Sequence, residues 1–221
     1  GILPLCAKPL GCALAFSVYK ENNFIGVTQT DIWEKGIEKL CDENYRGRRG
    51  ILGPTNSSLK DIISCVSWIA LVLKLTHKNF IWTGNQSSTP AQALNISDLC
   101  FENFTLDIIQ VAIQRGVFRP VGDGRIQFSH NMYQEYLAAK GALEFIPFSS
   151  WNSILLSADR SSIPSHFIGI AIWLAVYEET FRYILIETQP ELLLGSADAV
   201  SLVVADILCS VILERARFLS F

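Results

Sequence analysis

Charge is scarce in this sequence, methionine is nearly absent, and no nucleotide-binding phosphate loop occurs anywhere in it. Charged residues make up 18% against 50% hydrophobic, which excludes disorder as the state of any long stretch and leaves enough apolar surface for a sizeable core. Met132 is the sole methionine and residue 1 is glycine, so we read the chain as an excised piece of a longer one. No Gly-x4-Gly-Lys-Ser/Thr pattern is present. The nearest approach, Gly53-Pro-Thr-Asn-Ser-Ser-Leu-Lys60, lacks the second glycine and the Gly-Lys pair that let backbone amides and an ammonium cradle phosphates. Nor is there an acidic strand end for magnesium, or a Ser/His/Asp or Cys/His set for nucleophilic catalysis. The expectation is a chain with no catalytic residue, which does not hydrolyse ATP by itself.

Other absences narrow the class further. Six cysteines (Cys6, Cys12, Cys41, Cys65, Cys100 and Cys209) show neither CxxC nor Cys/His spacing, so no metal site is expected and the thiols read as small hydrophobes in a reducing compartment, the cytoplasm. The formal charge of -3 gives no general field to draw in nucleic acid or an anionic membrane. Residues 2–16 and 199–213 are strongly apolar, yet Lys8 and two prolines break the first and Asp206 the second. Both fall short of the roughly 18 to 20 apolar residues that span a bilayer, and no basic segment precedes the first. Buried helices account for both. Asn56, Asn85, Asn95 and Asn103 each open an Asn-x-Ser/Thr triplet, a density that asparagine and serine abundance explains without glycosylation.

What is present is mostly helical period. Leu59, Ile62, Ile63, Val66, Ile69, Ala70 and Leu73 form one apolar stripe, and Ser58 with Asp61 supplies the start signal. Ile32, Trp33, Gly36, Ile37, Leu40 and Cys41 form another, from about Asp31 until Arg46-Gly-Arg-Arg-Gly50 stops it. Between Leu75 and Asp98 the pattern dissolves into Asn, Gln, Ser, Thr and Pro, which predicts a long irregular connection. A short helix from Thr105 through Arg115 follows. The period then changes: Val117–Val121 and Arg125–Ser129 read as two strands joined at Gly122-Asp-Gly124, with Pro120 confined to an edge. A helix resumes from Ser129 to near Pro147. Beyond it, helices are expected at about Ser150–Asp159, Ser165–Tyr183, Glu187–Leu194 and Val200–Phe218, similar to the start of a stacked repeat. The predicted fold is therefore mainly α: a helical segment over 1–56, a winged-helix domain with one short β-hairpin over 57–147, and a repeat-like helical region over 148–221.

One segment carries a specific resemblance. Phe128-Ser-His130-Asn-Met-Tyr133-Gln134-Glu135-Tyr136-Leu137-Ala138-Ala139 resembles the winged-helix motif of NACHT-type STAND NTPases, Phe-x-His-x-x-Phe-Gln-Glu-Tyr/Phe-Leu-Ala-Ala, with Tyr133 in place of the commoner phenylalanine. Pro9-Leu10 resembles the Pro-Leu element that opens the helical domain after the ATPase core, where the family's proline packs near adenine; Lys8 is an unusual neighbour for it. Ile170-Ala-Ile-Trp-Leu-Ala175 and Pro190-Glu-Leu-Leu-Leu194 with Asp198 are similar to helical repeats of large bacterial NACHT-like defence proteins.

The resemblance implies a regulatory region of a signal-transduction NTPase in defence or innate immunity. An upstream ATPase core of the same chain would be its first partner, and a protein ligand would be met by the C-terminal repeats. ADP and ATP would bind the full-length protein, and no cofactor is expected in this piece. His130 would sense the nucleotide's β-phosphate in the closed, ADP-bound state, and Pro9 would pack on adenine. Loss of the ADP bridge would free the domains to rotate and oligomerise. An imidazole at a helix N-terminus suits that role, because unpaired N–H groups and the helix dipole favour an anion there. The plainer readings stand beside these: a histidine after a strand is by default a structural residue, Pro9 a first-turn helix proline, Gln134 and Glu135 surface or interdomain contacts, and His77 and His166 surface or capping residues. Two rival functions remain: a helical scaffold with no nucleotide link, and a DNA-binding winged helix. The second requires a basic exposed helix before the wing, and Thr105–Arg115 is largely apolar, with Asp107 and one arginine.

Overall fold

The computed structural model describes residues 9–22, 28–42, 57–102, 104–159, 161–194 and 208–213. The chain divides into two compact units, residues 1–141 and 142–221. The first holds helices α1 (Pro9–Asn22), α2 (Gln29–Asp42), α3 (Leu59–Leu75) and α4 (Leu106–Ala112), with strands β1 (Phe80–Trp82), β2 (Ala93–Asn95), β3 (Phe118–Pro120) and β4 (Arg125–Phe128). Helix α5 (Asn131–Phe145) runs through the division, and the second unit continues with α6 (Phe148–Leu155), α7 (Ile168–Tyr177), α8 (Glu179–Thr188) and α9 (Glu191–Leu194). The architecture is mainly α with one small sheet, as the sequence predicts.

Helix α3 is the spine of the first unit, and its ends are set by local chemistry. The Asp61 amide donates to the Ser58 hydroxyl oxygen at 3.2 Å while the Ser58 amide donates to Asp61 Oδ2 at 3.0 Å, a reciprocal cap. At the other end Thr76 is the last half-helical residue and His77 takes φ +55. The His77 amide donates to the Lys74 carbonyl and the Lys78 amide to the Leu73 carbonyl, so His77 occupies the left-handed stop position that glycine usually fills. Hydrogen bonds from Ser58 hold the Asp61 carboxyl below its ordinary 3.8. The stabilisation is therefore present above that value and lost as pH falls through the lowered one. Ser58→Ala is expected to cost about 1 kcal/mol of stability and to return the Asp61 titration, followed by carboxyl NMR, towards 3.8.

The stretch from Leu75 to Asp98 corrects the sequence reading: it holds two strands, not an irregular connection. β1 pairs in parallel with β2 and antiparallel with β4, giving the order β2-β1-β4-β3. Helix α3, strands β1 and β2, helix α4 and the β3–β4 hairpin follow in that order, with β1 seated on the second strand of the hairpin. Ile81 and Ile126 face each other and are buried. The hairpin is as expected, with positive φ at Gly122, Asp123 and Gly124 and with Pro120 on an edge strand, where its missing N–H costs no sheet bond.

In the second unit, the single helix expected over Ser165–Tyr183 is two. Glu178 leaves helical geometry at φ -122, ψ 110, and its carboxylate accepts from the Thr180 amide, capping α8. Arg182 closes the end of α7 by donating from Nε to the Ala175 carbonyl at 2.6 Å and from Nη2 to Val176 at 3.0 Å. Helices α7 and α8 pack against each other around buried Ile170, Leu174, Phe181 and Leu185. Ahead of α7, hydrogen bonds from the Ser157 and Ser161 hydroxyls pull the Asp159 carboxyl down to about 2. Of the helix expected over Val200–Phe218, residues 208–213 are helical; the remainder, with Asp198, lies outside the described residues. No helix among the described residues is long and apolar enough to cross a membrane.

Candidate functional site

The hairpin delivers His130 to the start of α5. As β4 ends, the Ser129 amide donates to the Val117 carbonyl at 2.8 Å and the Ser129 hydroxyl to the Gly116 carbonyl at 3.2 Å, which pins the turn to the base of β3. The next residue is the N-cap: the His130 carbonyl accepts from the Tyr133 amide at 3.1 Å. Its imidazole caps as well, because Nδ1 accepts from the Met132 amide at 3.2 Å. Nitrogen that accepts a hydrogen bond carries no proton, so in the neutral ring the proton sits on Nε2. The side chain is exposed and lies beside Tyr133, with ring centroids 5.9 Å apart.

Three polar side chains meet around the residue that follows it, Asn131. Lys74, at the end of α3, donates to Asn131 Oδ1 at 3.2 Å and lies 3.6 Å from Glu135 Oε1, and Asn131 also donates to Glu135. Glu135 thus pairs with a lysine from another helix. Lys74 and Asn131 are 57 positions apart, and no local pattern could have joined them.

The remainder of the motif is packing. Tyr136, Leu137, Ala138 and Ala139 are buried. Tyr136 stacks on Trp33 of α2 at 5.8 Å and Tyr133 meets the same indole edge-on at 6.1 Å. Lys140 pairs with Glu34 of α2 at 3.1 Å. On the opposite side α5 lies so close to α3 that a Cβ on Gly141 would stand 2.5 Å from the Ser67 carbonyl oxygen. The run Tyr-Gln-Glu-Tyr-Leu-Ala-Ala is therefore what seats α5, and hence His130, against two other helices.

The loop entering the β3–β4 hairpin is fastened too. The Gly116 amide donates to the Leu40 carbonyl at 2.8 Å, and Arg115 Nη1 donates to the Asp42 carbonyl at 3.2 Å. Both satisfy carbonyls that the end of α2 leaves without helical partners. Arg115 is itself buried. Burial pushes the neighbouring Cys41 thiol up to about 12 although Arg115 opposes the shift, and burial does the same to Cys65. Those two thiols are inert hydrophobes at neutral pH, whereas Cys12, Cys100 and Cys209 are exposed.

Pro9 is the first residue of α1 and is exposed. A proline suits that position without any ligand, since its missing N–H has no helical partner to lose. No hydrogen bond or ring contact joins it to His130. His77 ends α3 as described, and His166 lies in a 3-10 turn with its ring 4.0 Å from that of Phe167. Helix α4, which follows Thr105, buries Ile109, Val111 and Ala112 and exposes Asp107, so it has no basic face to enter a DNA groove. Among the described residues no group of three His, Cys, Asp or Glu side chains could hold a metal ion. Compared with family models, with curated proteins and with solved structures, the chain finds no match.

Proposed function

We propose that this chain is the nucleotide-state-sensing region of a NACHT-type STAND NTPase, holding an ADP-bound inactive state and coupling it to a sensor formed by the helices after Pro147. The observation that carries the reading is the capped imidazole. Its Nδ1 bond to Met132 leaves Nε2–H as a donor on an exposed ring at a helix N-terminus, where positive potential favours a phosphate oxygen. A hydrogen bond to so charged an acceptor is strong, and one diphosphate held both here and in an ATPase core would clasp the two. Replacing ADP by ATP removes the clasp and releases the domains to oligomerise. The reading places the protein in cytoplasmic defence signalling, with the sensed ligand met by the C-terminal helices.

In the full-length protein, His130→Ala is expected to weaken ADP retention by about 10- to 100-fold, the worth of one hydrogen bond to a charged group, and to raise basal oligomerisation. Nucleotide released on denaturation and the rate of labelled-ADP loss report it. His130→Asn separates sensing from folding, because asparagine restores the N-cap acceptor but has no imidazole donor. It is expected to keep the wild-type Tm and still lose ADP. Unchanged ADP affinity and unchanged basal signalling in both variants overturn the assignment, as does a full-length coding sequence without a phosphate loop.

A further inference from the structure

The small sheet has two faces, and the core uses one of them. Ile81, Phe118, Ile126 and Phe128 are buried on the inner face. Alternation along the strands puts Phe80 and Trp82 of β1, Arg125 and Gln127 of β4 and Arg119 of β3 on the other. Trp82 lies opposite Arg125, and Arg119 opposite Gln127. None of these five side chains is buried, and Arg119 is exposed.

The rings and guanidinium groups on this face are held in place. Trp82 Nε1 donates to the Asn85 carbonyl at 2.8 Å. Its six-membered ring lies along Gly84 and Gly124, where an added Cβ would stand 2.5 Å and 3.5 Å from it. The Arg125 guanidinium sits over the Phe80 ring, 5.7 Å from the centroid, and its Nη2 pairs with Asp123 at 3.2 Å. With the Gln127 amide oxygen turned towards it, Arg119 donates from Nε at 2.9 Å. Planes fixed in advance lose little freedom when a ligand settles on them.

Local charge here departs from that of the whole chain. Residues 78–84 and 117–129 contain three cations, Lys78, Arg119 and Arg125, against one carboxylate, Asp123, although the chain as a whole carries -3. Cations interleaved with aromatic rings on a pleated surface suit a ligand that alternates negative charge with flat bases. We infer that this face binds single-stranded nucleic acid, with phosphates against Lys78, Arg119 and Arg125 and bases stacked on Trp82 and on the Arg125–Phe80 pair. A duplex keeps its bases stacked inside and offers the face phosphates alone. An acidic peptide offers carboxylates and nothing for the rings. Stacking accepts every base, so little sequence preference is expected. The inference uses no atom of His130 and does not depend on the nucleotide reading.

Fluorescence anisotropy of labelled oligothymidylate and oligouridylate of about 12 nucleotides, titrated with the 221-residue chain, tests it. Saturable binding is expected with a Kd of about 1–100 μM at physiological salt, falling with salt at a log–log slope of about -2 for three phosphate contacts. Arg119→Ala is expected to flatten that slope. Phe80→Leu is expected to weaken binding about 5-fold or more with the slope unchanged, because it removes a ring and no charge. Circular dichroism checks that both variants fold; should Phe80→Leu fail to, the Arg119→Ala slope and the comparison with duplex decide. Binding of either oligomer upholds the inference, and the tighter one names the natural sugar. Absence of saturable binding overturns it, as does a duplex of equal length bound as tightly, or unchanged affinity and slope in both variants. Polyglutamate displacing the oligomer as well as unlabelled oligomer does, at equal charge, would reduce the face to a cationic patch and overturn it too.

Discussion

Gly141→Ala is expected to destabilise the protein although alanine is the better helix former. The added methyl would stand 2.5 Å from the Ser67 carbonyl oxygen, 3.0 Å from its carbon and 3.2 Å from Leu71 Cβ. Two of those three atoms are backbone of α3, so no rotamer change relieves the clash and the helices must move apart. Overpacking costs about 1–3 kcal/mol and occasionally more, with a clash against fixed backbone at the upper end, and the intrinsic preference for alanine over glycine returns about 1 kcal/mol. The net loss is about 2 kcal/mol or more, a fall in Tm of roughly 6 °C for a unit of this size. Thermal unfolding followed by circular dichroism reads it. A Tm equal to or above the parent's would mean that α3 and α5 do not approach as closely as described.

Trp33→Ala is expected to have the largest effect of any single truncation. The indole is 2% exposed and is shared between two tyrosines of α5. Removing a buried aromatic of this size costs about 3–5 kcal/mol, a large fraction of the stability of an ordinary domain. The stacked geometry adds a pair-specific part: a cycle of Trp33→Leu and Tyr136→Leu is expected to show a coupling of about 0.5–1.5 kcal/mol. Urea unfolding of the four proteins measures it. A coupling near zero would reduce the 5.8 Å stack to simple burial.

These two sites show where sequence reading stops. The apolar stripe of α2 was plain, and so was the presence of Trp33 in it, because period and hydrophobicity are local. That Trp33 meets Tyr136, or that Gly141 admits a carbonyl of Ser67, depends on how helices far apart in sequence cross. Caps were legible for the same local reason: Ser58 and Asp61 are three residues apart and bond to each other. The hairpin could be read from Gly122-Asp-Gly124, whose positive φ values need small or turn-forming residues.

Strands β1 and β2 were missed because each is three residues long in polar surroundings, too short for alternation to register. Phe80-Ile-Trp82 was the one available signal, an aromatic and β-branched triplet between Asn79 and Thr83-Gly84. Its strand identity comes from pairing with Arg125 and Ile126, more than forty residues on. The break of α7 from α8 was hidden in the same way. Glu178, Glu179 and Thr180 continue an acceptable helical composition, and it is Arg182 folding back on the Ala175 and Val176 carbonyls, together with the Glu178 cap on Thr180, that makes the interruption favourable. At the candidate site, His130 and its helix position were readable, while the tautomer set by Met132 and the meeting of Lys74 with Asn131 were not.

The small sheet has two margins, β2 on one side and β3 on the other. One ends in Pro120, which has no N–H to offer a newcomer, and the other passes at once into the turn capped by Asn95. Each presents three residues or fewer for recruitment of a foreign strand, below what a stable addition needs. Among the described residues the sheet is thus closed to growth by its own chemistry, with no adhesive fringe for another chain to extend.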